Sequence, residues 1–232
     1  MRAAPRIARR PTAARKPRAA APRRTRRADP AERWQQIIVA ATVEFLEKGY
    51  VGASMRDVSA RVGLLKGSLY HYIDSKEDLL FHVLRDLHEG AAGVVERCRT
   101  GPGRPLDRLR ELIEYLGPYS AEHAAQGMIF MRDFVFLPAP RRRQIIRQRD
   151  LYSSVMRELI SAAQARGDVP RSIDPALAAA TIMGSIAWVA NWYRPGGRLS
   201  AADIGRQQAA LLLAALRHGT PPPLHDTGVP AR

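Results

Sequence analysis

The 232-residue sequence predicts an all-α fold, on three observations. Apolar residues recur at three- and four-residue spacing along most of the chain. Three Ser-x-x-Asp pairs, Ser54/Asp57, Ser75/Asp78 and Ser200/Asp203, have the form of helix N-caps. Glycine and proline fall in short clusters between the apolar runs, and no run alternates as a half-buried strand would.

Taken in order, the first helix opens at Asp29-Pro30, an N-cap followed by a proline at the first helical position, with Glu32 where a capping box wants an acid. Trp34, Ile37, Ile38, Ala41 and Phe45 form its apolar face, and Gly49 is placed to end it in a left-handed conformation. Ser54 opens a second helix that carries Met55, Val58 and Val62 inward and stops at Gly63. A third, short helix spans about 65–72. A fourth starts at Ser75 and runs through Leu79, Leu80, Val83, Leu84 and Leu87 towards Arg99. After the breaker TGPGRP come a stripe of Leu106, Leu109, Leu112, Ile113 and Leu116, and then an apolar helix with Ile129, Phe130, Phe134 and Leu137 that ends at PAP. A long helix buries Ile145, Ile146, Tyr152, Val155, Met156 and Leu159. Asp174-Pro175 opens a helix that is apolar nearly all round, and Ser200 opens the last one.

Charge is unevenly placed. Of a net +15, eleven basic side chains stand in residues 1–28, which contain no acid, so the rest of the chain is only mildly basic. That arginine-, alanine- and proline-rich tail is expected to be disordered, as is the segment 218–232. It is either an electrostatic arm for DNA or an inert extension. No apolar run is long enough to span a bilayer. The single cysteine, Cys98, excludes an internal disulfide and suits a reducing compartment. A soluble, cytoplasmic protein without membrane contact is expected.

Two helices joined by a glycine turn, the second short and rich in hydrogen-bonding side chains, form a helix-turn-helix. Lys66, Ser68, Tyr70 and His71 stand on its exposed side, and the helix starts at Ser54 and Ser75 offer backbone amides to phosphate. Lys76, in the first turn of a helix, is unfavourable to the helix dipole, and a phosphate beside it would relieve that. The span Trp34–Leu84, through AATVEFLEKGY, SMRDVSARVG, KGSLYHY and SKEDLL, resembles the N-terminal DNA-binding domain of the TetR family of bacterial repressors. The resemblance implies a helix-turn-helix domain over 29–75, a ligand-binding and dimerisation domain over 76–217, and a homodimer on a palindromic operator in double-stranded DNA. It also implies DNA contacts at Ser54, Arg56, Lys66, Gly67, Ser68, Tyr70, His71 and Lys76. Leu65 departs from the family's usual capping Ser or Thr, which predicts a weaker start to the recognition helix. Ile73 replaces a frequent phenylalanine.

WVANWYRPGGRLSAADI and GSLYHYIDSKEDLL are similar to the TetR members that control fatty-acid and sterol-side-chain catabolism and answer to acyl-CoA thioesters. That implies a small apolar effector in a pocket formed by Phe130, Phe134, Met183 and Trp188, with Arg132, Arg149 or Arg194 for the CoA phosphates. The other reading of the four apolar residues is plain core. Two rival functions stay open: a drug-efflux repressor, for which Asp133 is the available pocket acid, and a regulator answering to a protein partner. Catalysis is not expected, because no nucleophile elbow, metal-ligand spacing or phosphate-binding glycine loop is present, and no metal or cofactor is implied.

Overall fold

The computed structural model describes residues 29–219, so the basic tail and nearly all of the C-terminal segment lie outside the described residues. Ten α-helices follow one another, with no strand among the described residues. They are α1 Pro30–Gly52, α2 Met55–Val62, α3 Lys66–Leu69, α4 Lys76–Glu89, α5 Ala92–Thr100, α6 Pro105–Glu122, α7 Ala124–Asp133, α8 Ala139–Ala165, α9 Pro175–Trp192 and α10 Ala201–His218. A 3₁₀ turn, Phe134–Phe136, links α7 to α8.

The caps read from sequence are present. Asp29 accepts from the Ala31 amide at 3.1 Å, Asp174 from Leu177 at 2.7 Å, and Ser54/Asp57 and Ser200/Asp203 close reciprocal boxes. Gly49 (φ +72°) breaks α1 three residues before its end, and Gly63 (φ +69°) ends α2 in the left-handed region that only glycine enters without strain.

The core of the head joins Ile37, Ile38, Ala41 and Phe45 of α1 with Met55, Val58, Leu69 and Ile73. Ile73, in the turn after the recognition helix, is buried in this core. Leu79, Leu80, Val83 and Leu84 of α4 belong to the same core, as do Ile129, Leu137 and Ile145, so apolar packing runs continuously across position 75 into the body. One buried carboxylate, Glu44, is neutralised by Lys48 at 2.8 Å and Arg61 at 2.6 Å. Their hydrogen bonds hold its pKa below the ordinary value. A second core lies among α5, α6, α8, α9 and α10.

Two helices differ from the sequence expectation. The recognition helix is four residues of α-helix rather than eight, continued only by turns through Ile73. Its N-cap, Leu65, is exposed and gives no side-chain hydrogen bond, and Gly67 inside it adds no helix propensity. The expected single helix from Ser75 to Arg99 is two, broken at Gly90-Ala91. The break has a tertiary cause. Tyr119 of α6 donates to the Leu87 carbonyl at 2.9 Å, Tyr152 of α8 donates to the His88 carbonyl, and a Cβ at position 90 would collide with the Tyr119 hydroxyl. α4 therefore ends against two tyrosines.

Candidate DNA-binding face and ligand cavity

The face expected to meet DNA is assembled from α2, α3 and the turn after it. Ser54, Arg56, Lys66, Gly67, Tyr70 and His71 are exposed and Ser68 is half-buried. The side chains of Arg56, Lys66, Ser68, Tyr70 and His71 make no hydrogen bond or ion pair with the other described residues; Lys66 only lies 5.9 Å over the Tyr70 ring. Leu69, between them, is fully buried and anchors the helix. Gly67 has ordinary helical geometry, and a Cβ there would meet nothing within 4 Å. No packing inside the molecule asks for glycine at this position, so a side chain would fit there in the free protein. At the start of α2 the Asp57 carboxylate is held at about 2, first by the Ser54 hydroxyl and then by Lys48 at 2.9 Å.

The Lys76 ammonium has partners inside the molecule: it donates to the carbonyls of Tyr50 (2.8 Å) and Ala53 (2.9 Å) and lies 4.5 Å from the centre of the Tyr50 ring. Carbonyls left without helical partners after the Gly49 break attract the cation. Tyr70→Ala is expected to weaken operator binding roughly tenfold or more with helix content unchanged, since Tyr70 supports nothing inside the molecule. Lys76→Ala is expected to lower the thermal midpoint of the head as well. Gel shift and circular dichroism on both variants check the contrast, and a Tyr70→Ala protein that binds normally would remove Tyr70 from the interface.

A cavity of about 130 Å³ lies in the body between the end of α4 and helices α6, α7, α8 and α9. Of the residues named from sequence for a ligand pocket, Phe130, Met183 and Arg149 are in its lining. The other three residues expected there are not. Phe134 packs with the head core, Trp188 is 63% exposed on the outer side of α9, and Arg132 is turned towards α1, where it donates to the Phe45 carbonyl and pairs with Asp133 at 2.8 Å. For Phe134 and Trp188 the physical reason is shared: on short or all-round apolar helices, spacing does not say which apolar side meets solvent, core or void. Arg194 donates to the carbonyl of Tyr193 and is absent from the lining.

Sequence reading missed Leu87, His88, Tyr119, His123 and Tyr152 as cavity residues. The signal for part of this set was the i, i+4 series Tyr115, Tyr119, His123, which stack in succession along α6. Burial raises the Tyr119 hydroxyl to about 12. The wall contains no carboxylate, and Asp133, the acid that a cationic drug would need, is buried against Arg132 and the Tyr50 amide instead.

His88 is 9% exposed, edge-on to Phe130 at 5.2 Å. Burial, with Arg149 nearby, drops its pKa from 6.5 to about 4. Between those values the unfolded chain takes up a proton that the folded protein refuses, so this stability is complete above pH 6.5 and is lost as pH falls through 4. The thermal midpoint is expected to drop between pH 7 and pH 5, and His88→Phe to flatten that part of the profile. An unchanged slope in the variant would assign the pH dependence to another group.

A family model described as "Bacterial regulatory proteins, tetR family" matches residues 37–83, and one described as "Tetracyclin repressor-like, C-terminal domain" matches 102–216. The chain is 27% identical over 199 residues to the HTH-type transcriptional repressor KstR2 of Mycolicibacterium smegmatis, covering 81% of this chain and 92% of that protein. A transcriptional regulator of the TetR/AcrR family from Thermobifida fusca has a crystal structure at 32% identity and TM-score 0.63, with 81% of this chain and all of that one covered. The crystal structure of AibR in complex with isovaleryl coenzyme A and operator DNA aligns at 26% identity and TM-score 0.68, over 80% of this chain and 98% of that one. No described helix is long and apolar enough to cross a membrane. Head, cavity-bearing body and both family models agree: the chain belongs to the TetR family of bacterial transcriptional regulators.

Proposed function

We propose that the protein is a homodimeric repressor that binds a palindromic operator and is released when an acyl-CoA thioester enters the cavity of the body. The observation that carries this reading is the position of α4. Its first turns, Leu79–Leu84, are packed in the head core, while its last residues, Leu87 and His88, line the cavity. A ligand that displaces the end of α4 changes how the head is held. Two recognition helices must lie about 34–36 Å apart to enter successive major grooves. The ligand acts by binding better to the state in which that distance is spoiled.

Several features favour a thioester. Arg149, exposed at the rim, suits a phosphate of CoA, and the wall beneath it is apolar. KstR2 and AibR, the latter with isovaleryl coenzyme A, are similar proteins. The cavity volume of 130 Å³ is near the roughly 150 Å³ that holds one benzene, so acyl groups of about five or six carbons fit without rearrangement. The absence of a carboxylate from the wall argues against a cationic drug. For the dimer, exposed Leu177, Trp188 and Trp192 on α9 and Leu211 on α10 give the apolar surface a second copy would cover. The protein then works in the cytoplasm, on the nucleoid when bound.

The test is a gel shift on DNA upstream of the protein's own gene, with CoA thioesters from isovaleryl to long-chain and sterol-like acyl groups. A shifted band that a short-chain thioester reverses is the expected result. A band indifferent to every thioester would leave the DNA-binding reading and end the acyl-CoA one.

A further inference from the structure

Buried polar atoms are almost always hydrogen-bonded, and the exceptions call for an explanation. Nε2 of His88 is such an exception, fully shielded and without a partner in a residue nine-tenths buried. The neighbours that could serve it are engaged elsewhere. The Tyr152 hydroxyl donates to the carbonyl of His88 itself, the Tyr119 hydroxyl donates to the Leu87 carbonyl, and His123 Nδ1 is 2.9 Å from the carbonyl of Tyr119. Phe130 presents only a ring to the imidazole. The cavity is the free space nearest the ring, although Nε2 itself has no surface open to it, so the ring must turn for a ligand to reach that nitrogen.

We propose that His88 is the polar anchor of the cavity, donating from its ring N–H to the uncharged carbonyl oxygen of the ligand's thioester. This rests on the acyl-CoA reading and adds to it the atom that is recognised. An oxygen at that point is held by a neutral donor, because an imidazolium is disfavoured both by the apolar wall and by Arg149. A charged carboxylate would have to give up its hydration to a single neutral N–H, and is rejected on that account. The acyl chain lies beyond the carbonyl against Phe130, Met183 and Ile186, and the CoA moiety leaves past Arg149. The anchor stands on the last turn of α4, next to the carbonyls that Tyr119 and Tyr152 hold. Recognition of the carbonyl therefore takes place on the helix that carries the head.

The test is a chemical double-mutant cycle by titration calorimetry on the full chain. Its probes are isovaleryl-CoA and the thioether analogue in which the carbonyl is replaced by a methylene. Its proteins are wild type and His88→Phe, which keeps a ring of similar size and removes the nitrogens. In wild type, loss of the carbonyl is expected to weaken binding about tenfold, the worth of a desolvated hydrogen bond. In His88→Phe the thioester and the thioether should bind alike. Equal loss on removing the carbonyl in both proteins would overturn the assignment while leaving the acyl-CoA reading in place. Failure of wild type to bind either compound would overturn both. A measurement without any variant runs alongside: the ¹⁵N resonance of His88 Nε2 should move on addition of the thioester and stay on addition of the thioether. A resonance that responds equally to both also overturns the assignment.

Discussion

Arg132→Ala is expected to destabilise the protein by about 3 kcal/mol, the low end of what breaking a buried ion pair costs, because Arg132 itself is half exposed. Asp133 is 2% exposed and receives two hydrogen bonds from the guanidinium, at 3.1 and 2.8 Å, and one from the Tyr50 amide at 3.2 Å. The same guanidinium reaches the carbonyls of Phe45 and Leu46 at the end of α1. Removing it leaves a buried carboxylate with one amide and takes away the link between α7 and the head. Arg132→Ala/Asp133→Asn should recover part of the loss, since the unpaired charge goes with it. Urea unfolding of the three proteins measures this. Equal midpoints for wild type and Arg132→Ala would mean that the joint is held by apolar packing alone. Because Gly127, Phe130 and Met131 of the same helix line the cavity, the single variant should also bind operator less tightly.

Gly205→Ala is expected to cost about 2–3 kcal/mol, the upper range for overpacking a well-filled contact. Among the described residues α6 and α10 form the most extensive helix pair, and they cross where Gly117 and Gly205 face one another. A Cβ on Gly205 would lie 2.7 Å from the Glu114 carbonyl oxygen and 2.7 Å from Pro118 Cδ. Neither backbone nor a proline ring can swing aside, so α10 must move off α6. Pro118 is part of the reason the helices come so close. It has no N–H for the Glu114 carbonyl four residues before it, and the glycine backbone packs on that freed oxygen. The displacement would separate Leu109, Leu112 and Leu116 from Ala209, Leu213 and Leu216, and would shift the exposed face of α10 proposed for the dimer. Thermal unfolding and analytical ultracentrifugation check both consequences. A variant with wild-type stability would show that the crossing has room to give.

The sequence by itself determined the all-α class, the helix starts at Asp29, Ser54, Ser75, Asp174 and Ser200, and the turns at Gly49 and Gly63. It also carried the resemblance that the family models bear out over residues 37–83 and 102–216. These features are set within a few residues: a side chain reaches the amide three positions on, and apolar spacing repeats every turn. Even the weak start of α3 was legible, in the missing hydroxyl at Leu65. Only the tertiary structure decided that α4 stops at Gly90, that Lys76 and Arg132 serve the end of α1, and that Phe134 and Trp188 stay outside the cavity that His88 and Tyr152 enter. Each of these turns on an encounter between parts of the chain far apart in sequence, as Arg132 with Phe45 or Tyr152 with His88. A cation can be satisfied by a phosphate, a carboxylate or a row of carbonyls, and composition does not distinguish them. Which one it meets depends on how the helices pack.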